Sequence, residues 1–257
     1  MSDSMLSLVD AARLSLACLD LTSLNDADTP ADVELLCRRA QTPFGPVAAV
    51  CVWPRFAALA RSLLPVNIRV AAVANFPAGE IDLAGALDDV AQIRAAGAQE
   101  VDVVLPYRAL LAGRDAEVLA FLKSVREACA GLTLKVIIES GELKSPEAIA
   151  RASLLALQAG ADFIKTSTGK TPVSATPEAA NVMLDAIAQS GRSDAGFKAS
   201  GGIRSVQDAQ TYLGLAAERW GMDALKPERF RFGASGLLND IEAVLAGQAS
   251  TSQGGSY

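Results

Sequence analysis

The chain has 257 residues, of which 51% are hydrophobic, 5% aromatic and 20% charged, with a formal net charge of −6 and no histidine. That apolar content supports a large core and lies outside the disordered range, while the acidic balance and scarcity of rings argue against nucleic acid or an anionic membrane as partners. Without histidine, the commonest acid–base group and metal ligand is missing, so proton movement falls to lysines and carboxylates, and no metal or other cofactor is expected.

Short β-branched runs alternate with Ala/Leu-rich helical stretches from end to end. The segment from Met1 to Leu6 has neither the basic flank nor the apolar core of a secretory signal, and no apolar run approaches the ~18 residues that span a bilayer, so a cytoplasmic protein is expected. The four cysteines, Cys18, Cys37, Cys51 and Cys129, are scattered and indicate neither a zinc site nor a disulfide framework. A helix over 6–17 leads to a short strand reaching Asp20, and Thr29-Pro30 starts the next helix as cap and first turn. Strands are predicted at 47–52, 68–74, 101–105, 134–138, 162–165, 195–198 and 230–233. Helices are predicted at 82–96, 116–130, 146–159, 177–189, 206–220 and 237–246. Eight strands, each followed by a helix, predict a parallel sheet closed as a single (β/α)8 TIM barrel with an extra amino-terminal helix. An open doubly wound sheet is the alternative, but no G-x-G-x-x-G follows the first strand. The barrel is expected to occupy 1–247 as one domain, with 248–257 a polar, mobile tail.

In a parallel barrel the site forms at the carboxyl ends of the strands. The polar residues at or near those predicted ends are Asp20, Cys51, Asn75, Asp102, Glu139, Lys165 and Lys198. Lys135 falls inside the fifth strand, and Glu100 shares a face with Asp102. Charges inside apolar strands are costly unless paired, and amines and carboxylates converging on one lumen resolve that cost while building a proton-transfer network. Lys165 ends Ala161-Asp-Phe-Ile-Lys165 and opens Thr166-Ser-Thr-Gly169-Lys170; Lys198 stands in Gly196-Phe-Lys198-Ala-Ser-Gly201-Gly202. A lone strand-end lysine is ordinarily a rim residue. Two of them change the physics: ammonium groups ~6 Å apart at an effective dielectric of ~20 repel by about 3 kcal/mol, enough to lower one amine towards neutrality and free a nucleophile for a carbonyl. Lys198 would supply the field and Lys165 the nucleophile, with the reverse assignment open. Asp102 reads equally as a structural partner of a lysine and as the general acid–base group. Cys51, in Val47-Ala-Ala-Val-Cys51-Val, reads as a small buried hydrophobe. Gly169-Lys170, Gly201-Gly202 with Arg204, and Gly233-Ala-Ser235-Gly236 follow the last three strands, where barrel phosphate sites use loop N–H groups and a helix amino terminus.

These segments resemble the deoxyribose-phosphate aldolase family of Schiff-base barrel aldolases over nearly the whole chain. The matching stretches include Asp20-Leu-Thr-Ser-Leu, Ala48-Ala-Val-Cys51-Val-Trp-Pro-Arg-Phe56, Asn75-Phe-Pro77 and Glu100-Val-Asp102-Val-Val-Leu-Pro-Tyr-Arg108. Further on come Lys135-Val-Ile-Ile-Glu139, Phe163-Ile-Lys165-Thr-Ser-Thr-Gly-Lys170, Phe197-Lys198, Gly201-Gly202-Ile-Arg204 and Arg231-Phe-Gly233-Ala-Ser235. The resemblance implies that Lys165 forms the imine, Lys198 lowers its pKa and Asp102 relays protons. It also implies that Lys170, Gly202 and Ser235 contact a substrate phosphate, with Gly169, Gly201, Arg204 and Gly233 in the same loops and Asp20 and Cys51 near the substrate. Cys51 would not be required for the chemistry. The implied reaction is reversible cleavage of 2-deoxy-D-ribose 5-phosphate to D-glyceraldehyde 3-phosphate and acetaldehyde, with phosphorylated sugar and aldehyde as the only ligands and a homodimer as one assembly to consider. Ala199-Ser200 stands where the family often has Pro-Ala, and Gly236 replaces a second phosphate-loop serine. Tyr257 is read as a tail residue able to fold over the site. Two rivals stand beside this reading: a Schiff-base aldolase for another phosphorylated sugar, and a barrel that only binds sugar phosphates.

Overall fold

The computed structural model describes residues 6–250. Eight parallel strands form a closed barrel: β1 (Leu19–Thr22), β2 (Ala49–Val52), β3 (Arg69–Ala74), β4 (Glu100–Val104), β5 (Thr133–Ile137), β6 (Phe163–Lys165), β7 (Gly196–Ser200) and β8 (Phe230–Ala234). β1 closes the cylinder by pairing with β8 on one side and β2 on the other. Such strands are covered on both faces, which explains their short, almost wholly apolar sequences. Helices supply the outer cover, and side-chain caps set where several begin. Ser145 accepts from the N–H of Ala148 ahead of Pro146–Gln158, and Thr176 accepts from Ala179 ahead of Pro177–Gln189.

The period-two alternation of each strand sorts its residues between two environments. Val101 and Val103 of β4, Leu134 and Val136 of β5, and Phe197 and Ala199 of β7 join the apolar layer beneath the helices. Glu100 and Asp102, Lys135, and Lys198 alternate with them, and all four are fully buried. On the neighbouring strands β2 and β3, Cys51, Ala71 and Val73 form a separate small apolar cluster with Leu24, and Val73 is the strand partner of Asp102.

The eight strands appear where expected, with one consequential shift at β7. It runs on to Ser200, so Lys198 lies within the strand and not at its end. Asp20 is likewise the second residue of a four-residue strand. Both side chains therefore sit below the rim, deep enough to meet the carboxylates and amines of neighbouring strands. Four small elements were not anticipated: a hairpin pairing Gln41–Thr42 with Gly45–Pro46, the helices Tyr107–Leu111 and Ser140–Leu143, and a 3-10 turn at Met222–Ala224. Of the proposed tail, residues 248–250 have no regular structure, and Ser250 donates to Asp240 at 2.7 Å. The remainder, including Tyr257, lies outside the described residues.

Candidate active site

Strand register brings the charged residues together. Asp102 is opposite Lys135, Lys165 is opposite Lys198, and Lys198 is opposite Arg231. Asp102 is the hub. Its Oδ1 accepts from Lys135 at 2.8 Å, while Oδ2 accepts from both Lys165 at 2.8 Å and Lys198 at 2.7 Å. Lys198 also donates to Asp20 at 2.5 Å, and Arg231 bridges Asp20 at 2.5 Å to Glu100 at 2.9 Å. Glu100 pairs with Lys135 at 2.5 Å and faces the half-exposed Arg69 at 3.6 Å. Buried pairs of this kind carry a desolvation cost comparable to their attraction, so the network is poor evidence of a stability device.

Among the described residues, the buried members of this network are three carboxylates (Asp20, Glu100 and Asp102) and four cations (Lys135, Lys165, Lys198 and Arg231), with Arg69 at its half-exposed edge. One buried cation is in excess, and Lys165 is the least compensated, with Asp102 as its single ion-pair partner among the described residues. Burial lowers the Lys165 ammonium below the ordinary lysine range; Asp102 opposes the shift and Lys198 reinforces it. Lys198 thus acts in the expected direction, with burial ahead of it. For Lys198, burial acts in the same direction, yet Asp102 and Asp20 outweigh it and hold the amine above its usual value, a standing cation. Burial pushes Asp102 up, but Lys135, Lys165 and Lys198 overcome it and keep the carboxyl well below the usual range. Asp20 is held down against burial in the same way by Lys198 and Arg231.

Above this cluster, a cleft of about 850 Å³ opens at the carboxyl ends of β1, β6, β7 and β8. Gly169, Lys170, Gly201, Gly202, Arg204, Gly233 and Ser235 all line it, as does Gly236, immediately before the helix Leu237–Leu245. That helix presents its amino terminus to the opening, a favourable position for an anion. The Lys170 amine stands 3.6 Å from the exposed carboxylate of Asp26. Lys165, Lys198, Asp102, Asp20 and Cys51 do not line the cleft; they lie beneath its floor, and Lys165 is only 1% exposed. Ser200 and Gly233, which do line it, connect the two levels. A Cβ on Gly233 would sit 2.6 Å from Ser200 Oγ and 3.0 Å from Lys198 Cε, so glycine is what lets these strands approach at the floor. Asp20, grouped with the substrate-binding residues from the sequence, thus stands in the lumen between Lys198 and Arg231. Cys51 stands in the apolar cluster, its thiol pushed by burial up to about 11 and hence protonated near neutrality.

Two features escaped the sequence reading. Arg231 was visible only as part of a matching segment, although an arginine between the phenylalanines Phe230 and Phe232 signals an inward charge. Glu139 was noted at a strand end without a role. It is fully buried, takes a left-handed backbone (φ 55°), and accepts from the hydroxyl and N–H of Thr168. Burial raises its carboxyl while those bonds from Thr168 lower it.

Fold and site define the class, a (β/α)8 enzyme whose strand-end cleft sits over buried amines and carboxylates. Within that class the chain belongs to the DeoC/LacD family of aldolases, whose sequence profile matches residues 14–242. It is 49% identical over 245 residues to the deoxyribose-phosphate aldolase of Agrobacterium fabrum, an alignment covering 93% of each chain. Among solved structures, the deoxyribose phosphate aldolase of Aeropyrum pernix, described as a unique tetramer, superposes with a TM-score of 0.72 at 26% identity, covering 93% of both chains. A protein of Coccidioides immitis, provisionally described as a deoxyribose-phosphate aldolase, gives a TM-score of 0.79 at 28% identity, covering 94% of this chain and 92% of that one.

Proposed function

We propose that the protein reversibly cleaves 2-deoxy-D-ribose 5-phosphate to D-glyceraldehyde 3-phosphate and acetaldehyde through an imine on Lys165. The observation that carries this reading is the charge imbalance of the lumen. With Lys165 as free amine, the buried members of the network are three carboxylates and three cations, so neutrality of that one nitrogen balances the buried charge. The neutral amine donates one N–H to Asp102 Oδ2 and keeps its lone pair for a carbonyl carbon.

In the forward direction Lys165 adds to C1 of the open-chain aldehyde, and loss of water leaves a protonated imine. A base removes the C3 hydroxyl proton, the C2–C3 bond breaks, and its electron pair flows into the iminium to give an enamine and glyceraldehyde 3-phosphate. Protonation of the enamine at C2 and hydrolysis release acetaldehyde and restore the amine. We assign the proton transfers to Asp102 working through a water. Because it bridges Lys135, Lys165 and Lys198, it returns a proton to the network without leaving an unpaired charge. Lys198 keeps a positive charge beside the imine-forming nitrogen. The glycine loops and Lys170 receive the phosphate, so the anion is held at the mouth while the aldehyde reaches the floor. Cys51 packs beside the site and takes no proton-transfer role.

Incubation with 2-deoxy-D-ribose 5-phosphate should release acetaldehyde and glyceraldehyde 3-phosphate in equal amounts, with Lys165→Met inactive and a two-carbon aldehyde preferred as donor in reverse. Products of another length would indicate a different aldol substrate. The Agrobacterium fabrum relative's name supports the choice of sugar. A homodimer, set against the tetramer described for the Aeropyrum pernix protein, is to be decided by sedimentation. A cytoplasmic setting remains part of the proposal; among the described residues no helix is long and apolar enough to cross a membrane.

A further inference from the structure

We infer that Glu139 is a positioning residue of the substrate cleft, fixing the loop after β6 and obliging the Thr168 hydroxyl to act as a hydrogen-bond acceptor towards the substrate. The inference deepens the functional reading above and rests on it. Three observations carry it.

The first is the backbone. Glu139 occupies the left-handed region, with φ 55° and ψ 60°, which a side-chain-bearing residue adopts at a cost. It is held there from both sides by the chain that carries the reactive amine. The N–H of Ile138 donates to Lys165 O at 3.0 Å, and the N–H of Ser140 donates to Thr166 O at 2.9 Å. The strained residue is thus stitched to the two positions where β6 ends and the loop begins.

The second is the use of the carboxylate. Glu139 is fully buried, yet no cation pairs with it among the described residues' salt bridges. Loop donors surround it instead. The Thr168 hydroxyl donates to Oε2 at 2.5 Å, the Thr168 N–H lies 3.3 Å from Oε1, and the Thr171 hydroxyl lies 3.3 Å from Oε1. The far end of the same loop is packed just as closely. A Cβ on Gly141, in the short helix that follows Glu139, would lie 2.1 Å from Val173 O.

The third is the proton inventory of Thr168, which lines the cleft. A hydroxyl has one proton and two lone pairs. The proton goes to Glu139, and one lone pair accepts the Lys170 N–H at 3.0 Å. What Thr168 can offer a ligand is its remaining lone pair. That wall therefore recognises a donor, such as a hydroxyl of the sugar chain, and not the phosphate anion. Through the Lys170 N–H, the same hydroxyl anchors the segment bearing the Lys170 amine.

Glu139→Gly tests this cleanly, because glycine accepts the left-handed backbone and only the carboxylate is lost. With 2-deoxy-D-ribose 5-phosphate, KM should rise about tenfold or more. Borohydride trapping of acetaldehyde on Lys165, which needs neither Thr168 nor Lys170, should stay within about twofold of wild type. Calorimetric binding of inorganic phosphate should weaken several-fold. Glu139→Gln, whose carbonyl can still accept from the Thr168 hydroxyl, should recover most of the KM. An unchanged KM and phosphate affinity in the folded glycine variant would overturn the inference. So would a fall in trapping as large as the loss in KM, which would place Glu139 on the amine instead of the loop. Should the glycine variant not fold, Glu139→Gln decides alone, and a loss in that variant as large as in Thr168→Val counts against acceptor positioning. Wild type that binds phosphate but does not cleave the sugar would defeat the functional reading, leaving the phosphate comparison to judge Glu139.

Discussion

Replacing Lys198 with methionine removes a cation while keeping most of the side-chain volume, and its effect on Lys165 follows from the shared oxygen. Both amines donate to Asp102 Oδ2, at 2.7 and 2.8 Å. Two charges ~5 Å apart at an effective dielectric of ~20 repel by about 3 kcal/mol, a ceiling here because burial, the first cause of the lowered Lys165 value, survives the substitution. At roughly 1.4 kcal/mol per decade, the free-amine fraction near pH 7 falls by up to about two decades. The sign is fixed by the chemistry. Lys165 reacts as free amine, the substitution raises its pKa, and the acid limb of the kcat/KM profile must move to higher pH. The assay is acetaldehyde release from 2-deoxy-D-ribose 5-phosphate between pH 5 and 10. A large deficit at neutrality that closes as the solution becomes alkaline is expected. Asp20 keeps Arg231 at 2.5 Å and Lys135 at 3.6 Å, so the variant should fold. A deficit of equal size at every pH, with the limb unmoved, would refute the electrostatic role of Lys198.

Other positions give independent tests. Gly236→Ser adds a hydroxyl to the cleft wall where nothing lies within 4 Å of the new Cβ. One further hydrogen bond of about 1 kcal/mol should lower KM for the phosphorylated sugar about fivefold without changing that for an unphosphorylated analogue. Gly233→Ala forces a methyl against Ser200 and Lys198 and should lose about 2 kcal/mol in urea denaturation together with most turnover. For acid stability, Asp20 and Asp102 have folded values below their unfolded ones. Their contribution is complete above the ordinary carboxylate range and is lost as pH falls through it towards the folded values. Urea midpoints should therefore drop below about pH 5, and Asp102→Asn should flatten that dependence.

The barrel was readable because each strand is a short apolar run bounded by helix caps, and because eight such units leave few ways to close. The lumen was partly readable for a related reason. Lys135 and Asp102 are charges in otherwise apolar strands, and period-two alternation places them on one inner face. What the sequence hid were relationships set by register and depth. Lys198 lies inside β7 because the strand continues through Ser200, and that extra length sets it below the rim, within reach of Asp20 and Asp102. The helices Tyr107–Leu111 and Ser140–Leu143 are too short to show periodicity. The Glu139–Thr168 contact joins residues on neighbouring strand ends through a left-handed conformation that no residue type announces.

The central claim is that one buried amine is uncharged and reactive near neutrality while its neighbour stays a cation. Borohydride reduction in the presence of acetaldehyde at pH 7, followed by peptide mapping, tests it directly. A two-carbon adduct on Lys165 and none on Lys198 is the result expected. Modification of Lys198 in place of Lys165, or no adduct on either, would contradict it.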